Sequence, residues 1–353
     1  MTKPVNINRI DPPAAIPGGE IAIEFTASAS EAEPLTVFIG GVEAHVVAAS
    51  HKRMLVTVPS IDEGGELEVS IGRNQDETST GATRLVLGRK LADGLHPVAN
   101  PAFDPADGSL YVTRSGSRGE HVPVSLYRIN SEQELEEFSG DIANPSGIAF
   151  SPRGQMFVTS RLEGTVYRVS PLRESSLMAG DLGVATGIAF NQAGEMFVGD
   201  RSGVIFRVNE IGESTPWAEH ELSVSAYHLA FGPDGSLYVT GPTVSSYDVV
   251  TRFDRFGAPE VFYRGLGRPQ GLAFDLNGNL YVAASLHARR GIVKITGDGA
   301  SAELFVAGMN VVGLAFGPGG EMIVATNDSV FSLPLGIDGL LLSADWALTG
   351  ETS

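Results

Sequence analysis

The sequence predicts an all-β chain: a β-propeller of six blades over residues 89–353, preceded by a small β-sandwich over residues 1–88. Three observations carry this. A segment ending in Ala-Phe, followed by a glycine turn and a second apolar run, recurs six times; its period is a little over forty residues; and residues 1–88 alternate like strands without containing a copy of it.

The repeats begin NPAFDPADGSLYV at Asn100, GIAFSPRGQMFV at Gly147, GIAFNQAGEMFV at Gly187, HLAFGPDGSLYV at His228, GLAFDLNGNLYV at Gly271 and GLAFGPGGEMIV at Gly313. Their phenylalanines (Phe103, Phe150, Phe190, Phe231, Phe274, Phe316) lie 47, 40, 41, 43 and 42 residues apart. That is the period of a propeller blade of four short strands. The turn glycines are Gly108, Gly154, Gly194, Gly235, Gly278 and Gly320. Asp-Gly and Asn-Gly suit a tight turn with positive φ, so looser connections are expected where Arg153, Ala193 and Gly319 precede the glycine. The fourth strand of the sixth repeat is expected from the C-terminal LLLSADWAL (340–348) rather than from LGRKLAD (87–93).

Composition limits what such a chain meets. A formal charge of -18 and a pI near 4.7 make nucleic acid and anionic lipid unlikely partners, since a strongly acidic surface repels both. Zero cysteines exclude disulfides and thiol catalysis. The N-terminal MTKPVNINRIDPP holds no signal-length apolar run, and no segment is apolar enough to span a bilayer. The chain therefore reads as soluble and, by default, cytoplasmic, or exported if a leader was trimmed, with a small molecule or a protein as partner.

In a blade, the loop leading into strand one and the loop joining strands two and three share one face of the disc, where they can converge on a ligand. The second loops of repeats one, four and five are long and carry insertions, TRSGSRGEHVP, TGPTVSSYD and ASLHARR. Arginines gather there: Arg114, Arg118, Arg161, Arg201, Arg289 and Arg290, with Arg268 in a neighbouring loop. Their planar donor forks suit carboxylates and phosphates. Local ion pairs (Arg161 with Glu163, Arg201 with Asp200, Arg118 with Glu120) are the competing reading. Arg128, Arg168, Arg207, Arg252 and Lys294 recur at one strand-three slot and read as scaffold.

Four of the seven histidines, His96, His121, His228 and His287, also fall on this face. His228 occupies the slot held by glycine in four other repeats, which puts an imidazole beside the channel axis next to Tyr227. The candidate ligand contacts are Arg114, His121, Arg161, Arg201, Tyr227, His228, Tyr247, Gln270, His287 and Arg289, with His228 and His287 as candidate catalytic bases or metal ligands.

Phrases such as RPQGLAFDLNGNLYVAAS resemble NHL repeats and the six-bladed propellers of the senescence-marker and gluconolactonase family. Residues 1–88, with a Pro-Gly-Gly turn at Pro17–Gly19, an Ile-Gly-Gly turn at Ile39–Gly41 and the Val58-Pro59 pair, resemble an immunoglobulin-like IPT/TIG domain. The gluconolactonase resemblance implies a calcium-type divalent cation held by carboxylate and asparagine side chains just before each repeat. The expected ligands are absent: Ala99-Asn100-Pro101 puts alanine where a glutamate is sought, Pro269-Gln270-Gly271 replaces an aspartate by an amide, and Ser146 and Thr186 stand at the asparagine slots. No nucleophile elbow, phosphate loop, H-E-x-x-H or dinucleotide fingerprint is present. The preferred reading is a propeller that binds a small anionic or sugar-like molecule at the channel mouth. Its rivals are a divergent lactone hydrolase or lyase and a protein-interaction scaffold.

Overall fold

A computed structural model describes residues 5–26, 35–73, 76–77, 83–116, 122–245 and 247–340. The described residues form strands and turns without a helix, in a β-propeller arrangement. Five four-stranded antiparallel sheets stand alone and follow the repeats. The strands of repeat five, Leu272–Phe274, Leu280–Leu286, Arg289–Ile295 and Ala302–Ala307, pair in the same antiparallel order but belong to a 13-stranded sheet that continues into the N-terminal region.

Burial follows position in the sheet. The second strands, such as Met156–Ser160 and Met196–Asp200, are buried at every residue because adjacent sheets cover both their faces, which is why they read as unbroken apolar runs. Outer strands such as Ser175–Ala179 are mostly exposed and more polar. Between neighbouring sheets, rings interlock: Tyr111 meets Phe150 with centroids 5.7 Å apart, and Phe197 meets Phe231 at 5.2 Å, while Tyr111 also packs on Phe138 of its own sheet at 4.9 Å.

Three expectations are corrected. The sheet of repeat six, Val311–Phe316, Glu321–Thr326 and Val330–Pro334, takes its fourth strand from Arg89–Ala92, which pairs antiparallel with Val330–Pro334. The last repeat is thus sealed by the segment preceding the first one; the favoured C-terminal stretch lies, beyond Leu340, outside the described residues. The turns before Gly154 and Gly194 are no looser than the others. All six turn glycines have φ between 71° and 82°, and the longer turn is that of repeat one, where Gly108 N donates to Asp104 O across one extra residue. The left-handed glycine fixes the turn, whatever precedes it. Finally, ASLHARR is not an irregular insertion. The two strands simply extend to a two-residue turn at His287 and Ala288, both with positive φ, and Leu286 pairs with Arg289.

The extended hairpin reaches the N-terminal region. There, strands Asn6–Asp11, Glu20–Thr26, Arg53–Thr57, Val42–Ala49, Thr36–Ile39, Gly65–Arg73 and Thr83–Leu87 follow one another by antiparallel pairing. Their apolar alternation supplies a common core with Ile21, Ile23, Val37, Met54, Val69 and Leu85 all buried. The two-residue strand Ala14–Ala15 joins the parts, pairing parallel with both Thr83–Leu87 and Ala302–Ala307. Ile16 N continues the ladder to Ala307 O at 2.9 Å. Gly19 must remain glycine, since a Cβ there would lie 2.5 Å from Ala307 O. Arg289 seals the junction: Nη1 lies 2.5 Å from Asp11 Oδ2, and Nη2 donates to Asp11 O.

Candidate functional site

The loops leading into strand one and those after strand two share a face and are bonded to each other. Arg161 N donates to Asn144 O (3.3 Å), Arg201 N to Val184 O (3.1 Å) and Asn327 N to Asn310 O (3.0 Å). These backbone bonds hold the loops as a rigid rim.

On that rim the local ion pairs do not form. Glu163 accepts the Tyr167 hydroxyl at 2.8 Å instead of engaging Arg161. Asp200 accepts Val184 N at 2.9 Å, Ser202 N at 3.1 Å and the Ser202 hydroxyl, so its lone pairs are committed to the loop and not to Arg201. Arg118 and Glu120 lie outside the described residues. Among the described residues, neither Arg161 nor Arg201 has a carboxylate within 4 Å. Burial, and then the positive charge of nearby Arg201, push the Arg161 guanidinium below its usual pKa. Two guanidiniums on equivalent loops of repeats two and three, one half-buried and one exposed, thus feel each other's charge without a carboxylate partner among the described residues. The recurring strand-three cations behave otherwise. Arg128 pairs with Asp107 at 2.7 Å, and Arg252 with Asp234 at 2.6 Å.

Two side-chain oxygens of the loop bonded to Arg161 N are left without partners. Asn144 Oδ1 and Ser146 Oγ are buried, their residues 7% and 0% exposed, and neither has a hydrogen-bond partner. Sequence reasoning missed Asn144 altogether. Its signal in the sequence was an asparagine, which tolerates left-handed backbone, immediately before Pro145; in the structure its φ is 43°.

The glycine slot closes the inner rim. A Cβ at Gly147 would sit 2.5 Å from Thr186 O, at Gly187 2.6 Å from Tyr227 O, and at Gly313 2.7 Å from Ala99 O, so the innermost strands touch backbone to backbone. Two repeats break the glycine pattern. Asn100 occupies this slot in repeat one, its Nδ2 donating to Leu272 O (2.8 Å) and its Oδ1 accepting Leu314 N (3.0 Å), which ties repeat one to repeats five and six. His228 occupies it in repeat four, 3% exposed, with Nε2 unpartnered. Burial pushes its imidazole down to about 4, so it is neutral at pH 7 and reaches no rim arginine.

The other candidates scatter. Tyr227 is buried, its hydroxyl donating to Glu221 O, and burial pushes its pKa up to about 12. Tyr247 is 70% exposed on the rim of repeat four. Arg114 donates to the Tyr127 hydroxyl at 3.1 Å. Gln270 is half-buried and points its amide at Val311 O, 3.5 Å away. His287 is exposed at the tip of the repeat-five hairpin, and Arg289 faces Asp11. His121 lies outside the described residues.

The slots that the gluconolactonase resemblance assigns to a divalent cation do not fit one. Asn100 has both amide atoms engaged with backbone, and Thr186 Oγ1 donates to Gly199 O and accepts Tyr227 N. What remains there is neutral, and a hard cation needs anionic oxygens. Among the described residues, no group of three or more His, Asp or Glu side chains gathers to hold a metal.

A cavity of about 390 Å³ runs along the axis, bordered by the Ala-Phe segments of the innermost strands. It reaches the opposite face, where Asp104, Gly108, Gln192 and Pro318 of the hairpin turns and Leu340 border it. Of the predicted contacts only His228 lines it, so the arginine rim does not open into the channel.

Solved structures identify the scaffold. An auxiliary nutrient binding protein from Bacteroides thetaiotaomicron superposes with a TM-score of 0.54 at 16% identity, over 94% of this chain and 97% of that one. The fold is a β-propeller. A gluconolactonase from Xanthomonas campestris matches with TM-score 0.59 and 16% identity over 72% of this chain and 90% of its own. A streptogramin B lyase matches with TM-score 0.51 and 13% identity over 86% and 99%. A binding protein, a hydrolase and a lyase on one scaffold mean that the propeller leaves activity to its loops. No family model and no curated protein matches the chain. No helix of the described residues is long and apolar enough to cross a membrane.

Proposed function

We propose that this is a ligand-binding propeller that takes a small anionic molecule on the rim of repeats two to four. The carrying observation is the pair Arg161 and Arg201, adjoining cations without a carboxylate partner among the described residues. A cation removed from water without an opposing charge is unfavourable, and a bound carboxylate or phosphate offsets it with charge-assisted hydrogen bonds. Structural similarity to a nutrient binding protein over nearly the whole chain fits this reading.

Behind it stands a finer architecture: six blades, one per repeat and sealed by Arg89–Ala92, carried by an immunoglobulin-like sandwich of IPT/TIG type over residues 1–88. Its supports are the repeat period, the equivalent strand order of repeat five, and the seven antiparallel N-terminal strands, whose buried side chains continue into the core of repeats four and five. The lactonase alternative lacks support at the cation slots, which are filled by engaged amides and hydroxyls.

Differential scanning fluorimetry with gluconate, glucuronate, phosphate and neutral glucose tests the proposal. Anions should raise the melting temperature, glucose should not, and Arg161→Gln with Arg201→Gln should abolish the shift. Anions that leave the melting temperature unchanged, or a shift that persists in the double variant, would overturn it.

A further inference from the structure

The arginines are flanked by apolar side chains that the scaffold does not use. Leu222 is 63% exposed, Val224 45%, Val244 93%, Tyr247 70%, Leu162 62% and Val184 39%. All sit on the rim of repeats two to four. Backbone hydrogen bonds tie these loops to Arg201: its N donates to Val184 O, its O accepts Ser223 N at 3.3 Å between Leu222 and Val224, and Val224 N donates to Pro242 O at 2.8 Å. Ser223 Oγ, buried beneath them, also donates to Pro242 O at 3.1 Å, and buried Asp248 accepts both Thr243 N and its hydroxyl. These loops are braced from below, so the apolar side chains are presented outward by rigid turns. A single exposed leucine is ordinary; several exposed apolar side chains on mutually bonded loops, beside cations that lack a carboxylate partner among the described residues, mark a binding surface.

The two halves of the surface specify one chemistry. Guanidinium forks take a carboxylate, whereas valine, leucine and tyrosine side chains gain only by excluding water from an apolar body. A polyol such as a sugar acid would leave its hydroxyls against Val244 and Leu222 without partners. We infer that the rim ligand is an amphiphilic monoanion, an acyl or aryl carboxylate whose acid group meets Arg161 and Arg201 and whose apolar body lies over Leu222, Val224, Val244 and Tyr247. This deepens the proposed function and rests on its arginine site.

Isothermal titration of the full chain with 4-phenylbutyrate, its neutral amide and gluconate tests it. The expected order is phenylbutyrate at least about ten-fold tighter than gluconate, with the amide weakest. Leu222→Ser combined with Val244→Ser, both exposed and checked by an unchanged melting temperature, should reduce phenylbutyrate affinity about ten-fold and leave gluconate alone. Gluconate binding as tightly as phenylbutyrate, or serine variants without effect, overturns the amphiphile while the anion site stands. Failure of both acids to bind overturns both readings.

Discussion

Repeats one, five and six differ from repeats two to four in what their polar side chains do. On the first side they are engaged: Asn100 bridges to Leu272 and Leu314, and Arg289 clamps Asp11. On the second side Arg161 and Arg201 lack a counter-charge among the described residues, while buried polar atoms without partners occur on both sides: Asn144 Oδ1, Ser146 Oγ, Thr165 Oγ1 and His228 Nε2 on this one, Ser139 Oγ and Arg289 Nε on the other. The same residue types at related positions thus hold the scaffold on one side and await a partner on the other. What sets this arc apart is its uncountered guanidiniums, and a cation left without an opposing charge favours recognition over packing.

The largest expected effect concerns the two slots that interrupt the glycine ring. His228 is neutral in the fold with a pKa of about 4, whereas the unfolded chain protonates near 6.5. Its contribution is full above pH 6.5 and is lost as pH falls to 4, by about 3 kcal/mol if the whole shift is expressed. His220, also pushed down to about 4 by burial, adds in the same direction. Urea melts at pH 8, 6 and 4.5 should show this decline, and His228→Leu should flatten it. An equally steep decline in that variant would remove His228 from the account.

Next comes Asn100→Ala, which leaves Leu272 O and Leu314 N without their partner and should cost about 2 kcal/mol at pH 8. His228→Leu at that pH should stay within about 1 kcal/mol, because no hydrogen bond is broken. Equal losses would erase the contrast between the two slots. Smaller again is Arg289→Ala, about 1 to 2 kcal/mol after allowing for the 21% and 31% exposure of the pair. Arg161→Ala should be neutral within about 0.5 kcal/mol or slightly stabilising, since it relieves an unpaired cation beside Arg201. A loss at Arg161 matching that at Arg289 would mean that it too is a structural residue.

Much of the scaffold was legible because the repeat imposes it. Phenylalanine spacing and turn glycines suffice to place four strands per period, and the recurrence of Gly147, Gly187 and Gly313 at one slot marks a close backbone approach that leaves no room for a Cβ. What stayed hidden depends on distant partners. Nothing local in LGRKLAD marks it as the last strand of repeat six, and nothing in ASLHARR marks a hairpin lengthened to meet Asp11, 278 residues away. For the site, residue type pointed to arginines on one face but not to which are engaged. Arg161 and Arg289 look alike in sequence and differ only in whether a carboxylate stands opposite.

The most direct test is side-chain NMR of the arginine Nε–Hε groups during titration with an anionic ligand. The resonances of Arg161 and Arg201 should shift together and saturate while Arg289 stays fixed. Movement of Arg289 in step with them, or no movement of Arg161 and Arg201 at saturation, would contradict an open anion rim on repeats two to four.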